Sequence, residues 1–195
     1  MKTKNMHTSN LLPKKINPII EIFFEYAQLK NLYRQGWLKR GVSKLDCETV
    51  AEHSFGVALL GYIIAEEYRP DLDSFRVMKL GLFHEMGEIY AGDIIPSDDI
   101  SIEDKAKKEF QSVQQVFSGL PNAKKYVDIW LEYEHQETPE AKFVKQIDKL
   151  EMALQANLYE RMEYTGLNEF FPYVEQRISS PELKPILDEI LESRN

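Results

Sequence analysis

Cysteine is nearly absent from this chain. Cys47 is the only one in 195 residues, which rules out an internal disulfide and with it the small stapled folds of oxidising compartments. Long apolar runs are missing as well, since no stretch approaches the roughly 20 residues that a membrane-spanning helix needs. The start, MKTKNMHTSN, is basic but lacks the apolar run of a secretion signal. Positive charge is in deficit, with 24 Lys and Arg against 32 Asp and Glu and a net charge of −8. Such a field repels phosphate backbones and argues against a nucleic-acid polymer as partner, although a small anion can still be captured locally. No run alternates apolar and polar residues long enough to claim a sheet, and there is no internal repeat. What is left reads as a soluble, cytoplasmic protein with 43% hydrophobic residues, enough for one substantial core.

Helical spacing fills most of the chain. Residues 1 to about 16 are polar and aperiodic and read as a flexible N-terminal tail with His7 solvated, while residues 17–195 read as one helical domain. Pro18 at a first helical position, then Ile19, Ile22, Phe23, Tyr26 and Leu29, predicts a helix that ends before Gly36. Thr49 to Glu52 spells a capping box, in which the Thr hydroxyl and the Glu carboxylate satisfy backbone N–H groups. It opens a helix with His53, Val57, Leu60, Gly61 and Ile64 on one face. Asp73 or Ser74 caps the next, whose face holds Val77, Leu80, Phe83, His84 and Gly87 and which ends at Gly92. Residues 102–118 and 122–134 predict two more, and Thr138-Pro139 starts another to about Met162, with Val144, Ile147, Asp148, Met152, Leu154 and Leu158 drawn largely from its buried side. A last amphipathic stretch, Ser180 to Leu191, contains Pro185 as a candidate bend. The expected fold is all-α, a compact bundle of about seven helices.

Several of these helices carry inward-facing groups that need an explanation. A buried carboxylate is costly unless it is paired or coordinates a cation, and a buried imidazole needs its nitrogens satisfied. Singly, each histidine reads as a hydrogen-bonded core residue and Asp148 as half of a structural pair. Together, His53, His84, Glu85 and Asp148 read as ligands of one divalent ion held between helices. Neighbours on a helix point about 100° apart, so His84 and Glu85 share an ion only in a wedge where their helix meets others. Two imidazoles with two carboxylates suit Mn, Fe, Co, Ni or Zn better than Mg or Ca. Glu88, four residues after His84, lies on the same side, where a carboxylate can move a proton; otherwise it is a solvated helix acid. Asp93, past Gly92, is the next candidate, against a plain turn-capping role. Residues 34–46 form a basic loop, with Arg34, Lys39, Arg40 and Lys44 and no acid before Asp46.

Three segments resemble a known family. They are Glu48-Thr49-Val50-Ala51-Glu52-His53-Ser54, the run His84-Glu85-Met86-Gly87-Glu88 through Gly92-Asp93-Ile94-Ile95-Pro96, and Thr138-Pro139 onward to Ile147-Asp148-Lys149-Leu150-Glu151. Together they are similar to the HD-domain metal-dependent phosphohydrolases, and most of all to the 5'-deoxynucleotidases among them, from about Asn31 to Met162. The doublet here is His84-Glu85 where the family has His-Asp, one methylene longer. The resemblance implies a helical core binding one divalent transition metal (Mn, Co, Ni, Fe or Zn) through His53, His84, Glu85 and Asp148, with His53 and Glu85 also at the substrate. It implies hydrolysis of deoxyribonucleoside 5'-monophosphates to nucleoside and phosphate. Glu88 and Asp93 would be the catalytic carboxylates, Arg34 and Trp37 would meet the phosphate, and Asp93, Ile94, Ile95 and Pro96 would line the sugar side. Arg34 and Trp37 are two residues further apart than the family's adjacent Arg-Trp pair. Arginine offers a fork matched to a phosphate dianion, and tryptophan stacks or simply packs. A homodimer is implied too. Two rivals remain open: a phosphodiesterase or nucleoside triphosphohydrolase acting on another nucleotide, and a catalytically degenerate ligand-binding protein of the same fold, marked by Glu85.

Overall fold

The structure is a computed structural model that describes residues 6–12, 16–95 and 98–194. The chain runs through α1 (Pro18–Ala27), α2 (Gln35–Leu38), α3 (Val50–Tyr68), α4 (Ser74–Phe83), α5 (Glu88–Ala91), α6 (Ile102–Phe117), α7 (Ala123–His135), α8 (Pro139–Arg161), α9 (Phe170–Glu175) and α10 (Lys184–Glu192). Among the described residues there is no strand, only an isolated antiparallel bridge between Tyr33 and Thr49. The longer helices are those that periodicity predicts; α2 and α9 are short connectors that it does not reach, and α5 is the far end of the stretch predicted from Ser74 to Gly92, split off from α4 by a break. None of the described helices is long and apolar enough to cross a membrane.

Helix starts follow their sequence signals. Thr49 N donates to Glu52 Oε2 at 2.7 Å while Glu52 N donates to Thr49 Oγ1 at 3.3 Å, and Asn17, Asp73 and Thr138 cap α1, α4 and α8. Each such cap is worth about 1 kcal/mol. α1 stops at Ala27 and passes into a 3₁₀ turn, Gln28–Lys30, so it ends before Gly36 as expected. Two other helix features depart from expectation. Pro185 lies in the first turn of α10, where its missing N–H would be unpaired anyway, so it opens that helix and does not bend it. The helix begun at Ser74 ends at Phe83, well before Gly92. Residues 84–87 form turns with tighter i→i+3 bonds, Met86 N to Phe83 O at 3.1 Å and Glu88 N to Glu85 O at 3.0 Å. His7 is not solvated: its ring stacks on Tyr90 with centroids 4.4 Å apart, and its Nε2 donates to Ile89 O at 2.9 Å.

α3, α4 and α8 pack on one another at the centre, with α7 against α4 and α8. Val57, Val77, Leu80 and Ile147 are buried between them. Gly81 of α4 lies so near α3 that a Cβ would sit 2.8 Å from Ala58 Cα, an approach only glycine allows. This contact draws His53, one turn into α3, and His84, just past α4, to the same end of the bundle. α8 lays Asp148 across them.

Candidate metal centre and cleft

His53 is fully buried, and its Nδ1 donates to Glu151 Oε2 at 2.6 Å. His84 Nδ1 donates to Gly81 O at 2.7 Å. Carboxylate and carbonyl oxygens only accept, so both rings carry a proton on Nδ1 and turn Nε2 toward the same point, 3.3 Å apart. Two ring lone pairs facing each other at that separation need a proton or a cation between them. Asp148 Oδ1 lies 3.3 Å from His53 Nε2, while its Oδ2 accepts from Tyr133 OH at 3.0 Å and from Lys149 Nζ at 2.8 Å. The ligand atoms of His53, His84 and Asp148 all fall within 4.8 Å of one another. Imidazole nitrogens whose other N–H is already engaged, with a carboxylate held by its second oxygen, form a donor set that fits a divalent transition metal.

Electrostatics agree with that fit. Burial and Arg34 work to strip the His53 ring of charge, yet Glu151 and Asp148 outweigh them and raise its pKa to about 10. Burial alone would push Asp148 up, but Lys149, His53 and His84 hold it well below the usual carboxylate range. The spot favours positive charge.

Glu85 stands to one side. The break at residues 84–87 lets the neighbouring side chains of His84 and Glu85 converge, Nε2 to Oε1 at 3.3 Å, where the end of α4 meets α3 and α8. Glu85 Oε1 is 3.7 Å from His53 Nε2 and 3.7 Å from Arg34 Nη1, and it lies outside the three-residue group. Burial opposes its ionisation, but His84, Arg34 and His53 win and keep its pKa below the ordinary value. It links the metal group to Arg34.

A cleft of about 730 Å³ opens on this end of the bundle. Arg34, Trp37, Glu88, Asp93, Ile94 and Ile95 all line it, as do His84, Glu85 and Asp148. His53 lies behind the wall, and Pro96 falls outside the described residues. Arg34 Nη1 is 3.7 Å from Asp93 Oδ1, and Asp93 Oδ2 accepts from Gln35 N, so Asp93 ties the exit of α5 to the Arg34 loop. Gly92, at φ 82°, makes the turn that brings Asp93 there. Glu88 is buried and its Oε2 has no hydrogen-bond partner. Burial, then Glu85 and Asp93, push its carboxyl well above the ordinary range, which favours the protonated form. Trp37 packs and also positions: it lies against Phe170 at a tilt of 48°, with centroids 4.3 Å apart, and donates Nε1–H to Glu48 Oε1 at 2.7 Å.

Several residues escaped the sequence reading. Glu151 follows Asp148 by three and shares its helix face, a signal that was available. Glu48 precedes the capping box; burial and then the Glu151 charge push it up to about 7. Phe170 and Tyr173 of α9 join the cleft wall only through tertiary packing, and nothing in their local sequence marks them.

The HD domain family profile matches residues 26–190. The 5'-deoxynucleotidase HDDC2 of Bos taurus is 36% identical over 173 residues, covering 87% of this chain and 82% of that protein. That of Xenopus laevis is 38% identical over 173 residues, covering 87% and 84%. Among solved structures, a conserved hypothetical protein from Pyrococcus furiosus superposes with a TM-score of 0.74 at 30% identity, covering 89% of this chain and 99% of that one. The profile takes in both histidines, Asp148 and the cleft that they face, and on that extent of similarity the chain belongs to the HD domain family.

Proposed function

We propose that this HD-domain protein hydrolyses deoxyribonucleoside 5'-monophosphates to nucleoside and orthophosphate with a divalent transition metal. One observation carries the reading: two Nε2 atoms 3.3 Å apart, with Asp148 Oδ1 beside them, open onto a cleft lined by Arg34. The volume of about 730 Å³ suits one small ligand. The substrate class is supported by the names of the HDDC2 relatives.

His53, His84 and Asp148 would hold the ion, with Glu85 as a further carboxylate turned toward Arg34. When bound, such a metal supplies Lewis acidity toward a phosphoryl oxygen and acidifies water. Arg34, held between Glu85 and Asp93 before substrate arrives, offers its fork to the phosphate and offsets charge as the phosphoryl group transfers. Glu88 keeps a proton in a buried position and delivers it to the leaving 5' oxygen. Asp93 acts beside it, fixing the Arg34 loop through Gln35 N. Trp37, Ile94 and Ile95 shape the walls around the nucleoside. Residues 17–195 work as one domain in the cytoplasm. A homodimer forms through the apolar stripe of Phe55, Leu59, Ile63 and Phe75, which is exposed on α3 and α4.

Product identification tests this directly. Phosphorus NMR of reactions with manganese- or cobalt-loaded protein should show orthophosphate arising from deoxynucleoside monophosphates. Pyrophosphate or triphosphate from nucleoside triphosphates alone, or a nucleoside monophosphate from a diester, would hand the reading to its rivals.

A further inference from the structure

We propose that Glu151 is the positioning residue for His53, and that Glu48 joins it to the Arg34–Trp37 loop. The metal ligand and the phosphate end of the cleft thus rest on one buried carboxylate pair. This deepens the proposed reading and depends on His53 being a metal ligand.

The geometry is specific. Glu48, His53 and Glu151 are all buried, with one donor or acceptor atom of each within 4.8 Å of the others. Each carboxylate has its own partner: Glu151 Oε2 takes the His53 Nδ1 proton at 2.6 Å, and Glu48 Oε1 takes the Trp37 indole proton at 2.7 Å. Arg34 Nε lies 3.9 Å from Glu48 Oε1, while its Nη1 reaches toward Glu85 and Asp93. Glu48 therefore touches the loop that carries Arg34 and Trp37, and Glu151 touches the ring that faces the ion. A second cation in place of this hydrogen bond would require both nitrogens of His53 as ligands, that is, an imidazolate. The 2.6 Å N–H bond to a carboxylate argues against that.

Gly56 adds an independent observation. It lies three residues after His53, and a Cβ there would come within 2.8 Å of Glu151 Oε1 and 3.3 Å of its Cγ. Glycine keeps free the space in which the Glu151 carboxylate lies against α3. Fixing the ring by Nδ1–H has two effects: it leaves Nε2 as the free lone pair, and it makes the imidazole a stronger donor to a metal.

The test uses Mn²⁺ binding by calorimetry, together with kinetics. Glu151→Gln and Gly56→Ala should each weaken Mn²⁺ binding about ten- to a hundredfold, the second without removing any ligand. Glu48→Gln should act mainly on KM for a deoxynucleoside monophosphate, through the Arg34–Trp37 loop. In Zn²⁺-loaded wild-type protein, long-range ¹H–¹⁵N spectra should show His53 protonated on Nδ1, a readout that needs neither a variant nor a substrate. A His53 ring protonated on Nε2, unchanged Mn²⁺ affinity in folded Glu151→Gln and Gly56→Ala, or two Mn²⁺ per wild-type chain would overturn the proposal. Metal binding of this kind in a protein that hydrolyses nothing would sink the hydrolase reading and leave the role of Glu151 standing.

Discussion

On the α8 side of His53, the buried carboxylates are saturated: Glu151 holds the ring N–H and Glu48 holds the Trp37 indole. On the cleft side, Glu85 has contacts of 3.3–3.7 Å to His84, His53 and Arg34, and Glu88 leaves Oε2 with no partner at all. Both sides are acidic and both are shielded from bulk water. A buried polar atom without a hydrogen bond costs about 1–3 kcal/mol, so the cleft side carries a cost that the α8 side avoids. The difference separates scaffold from chemistry. The satisfied carboxylates fix the His53 ring and the Trp37 indole, and the unsatisfied ones stay open to a cation or a proton.

The sharpest way to break this comparison is to remove a proposed ion ligand. Asp148→Asn keeps the side chain's size but loses its charge, and it should abolish stoichiometric manganese binding and reduce phosphate release to background, as read by elemental analysis and a phosphate assay. Next in size is Glu88→Gln, which should lower kcat about 10²- to 10⁴-fold with manganese content intact. The sign of its pH effect follows from the raised carboxyl: the working form is protonated, so wild-type kcat should fall as pH rises through the elevated pKa, and the residual rate of the variant should lack that limb. Glu85→Asp withdraws the carboxylate by one methylene from Arg34 and recreates the usual doublet of the family. It should keep or raise hydrolysis and tighten manganese, measured by turnover and calorimetry together; a collapse of both would mean that this chain has reset its centre around glutamate.

The smallest effect concerns stability. Glu109, in the same cleft, is pushed by burial from 4.5 up to about 7 despite Lys105 nearby. A raised acid favours the folded state only while it is protonated in that state, so this contribution is present below about pH 4.5 and is lost as pH climbs to about 7. Glu109→Gln removes the dependence. Its stability relative to wild type should rise by at most about 3 kcal/mol between pH 4.5 and pH 8, seen in denaturant melts; a flat difference would show that Glu109 ionises freely.

Much of this was legible in the chain. The capping box at Thr49 places the segment of His53, and the Thr138-Pro139 start with the apolar phase around Asp148 places the segment of Asp148, two of the three segments of the proposed centre, because caps and periodicity are local physics. The break after Phe83 was not. The phase of Val77, Leu80, Phe83 and Gly87 continues smoothly through it, and the turn is imposed by packing of Gly81 on Ala58 and by the bond from His84 to Gly81. Glu88 was placed in the cleft by a continuous-helix rule that the structure does not obey; the i→i+3 turns bring it there by another route. His7 defeated composition entirely, since its partner Tyr90 is 83 residues away.

One measurement bears on the central claim most directly: orthophosphate release from deoxynucleoside monophosphates by metal-stripped, manganese-reloaded protein, with manganese per chain determined on the same samples and His84→Ala as control. The proposed centre predicts one manganese per wild-type chain with phosphate released, and neither in His84→Ala. Loaded wild-type protein that releases no phosphate from any deoxynucleotide, or a His84→Ala variant that works as well as wild type, would contradict it.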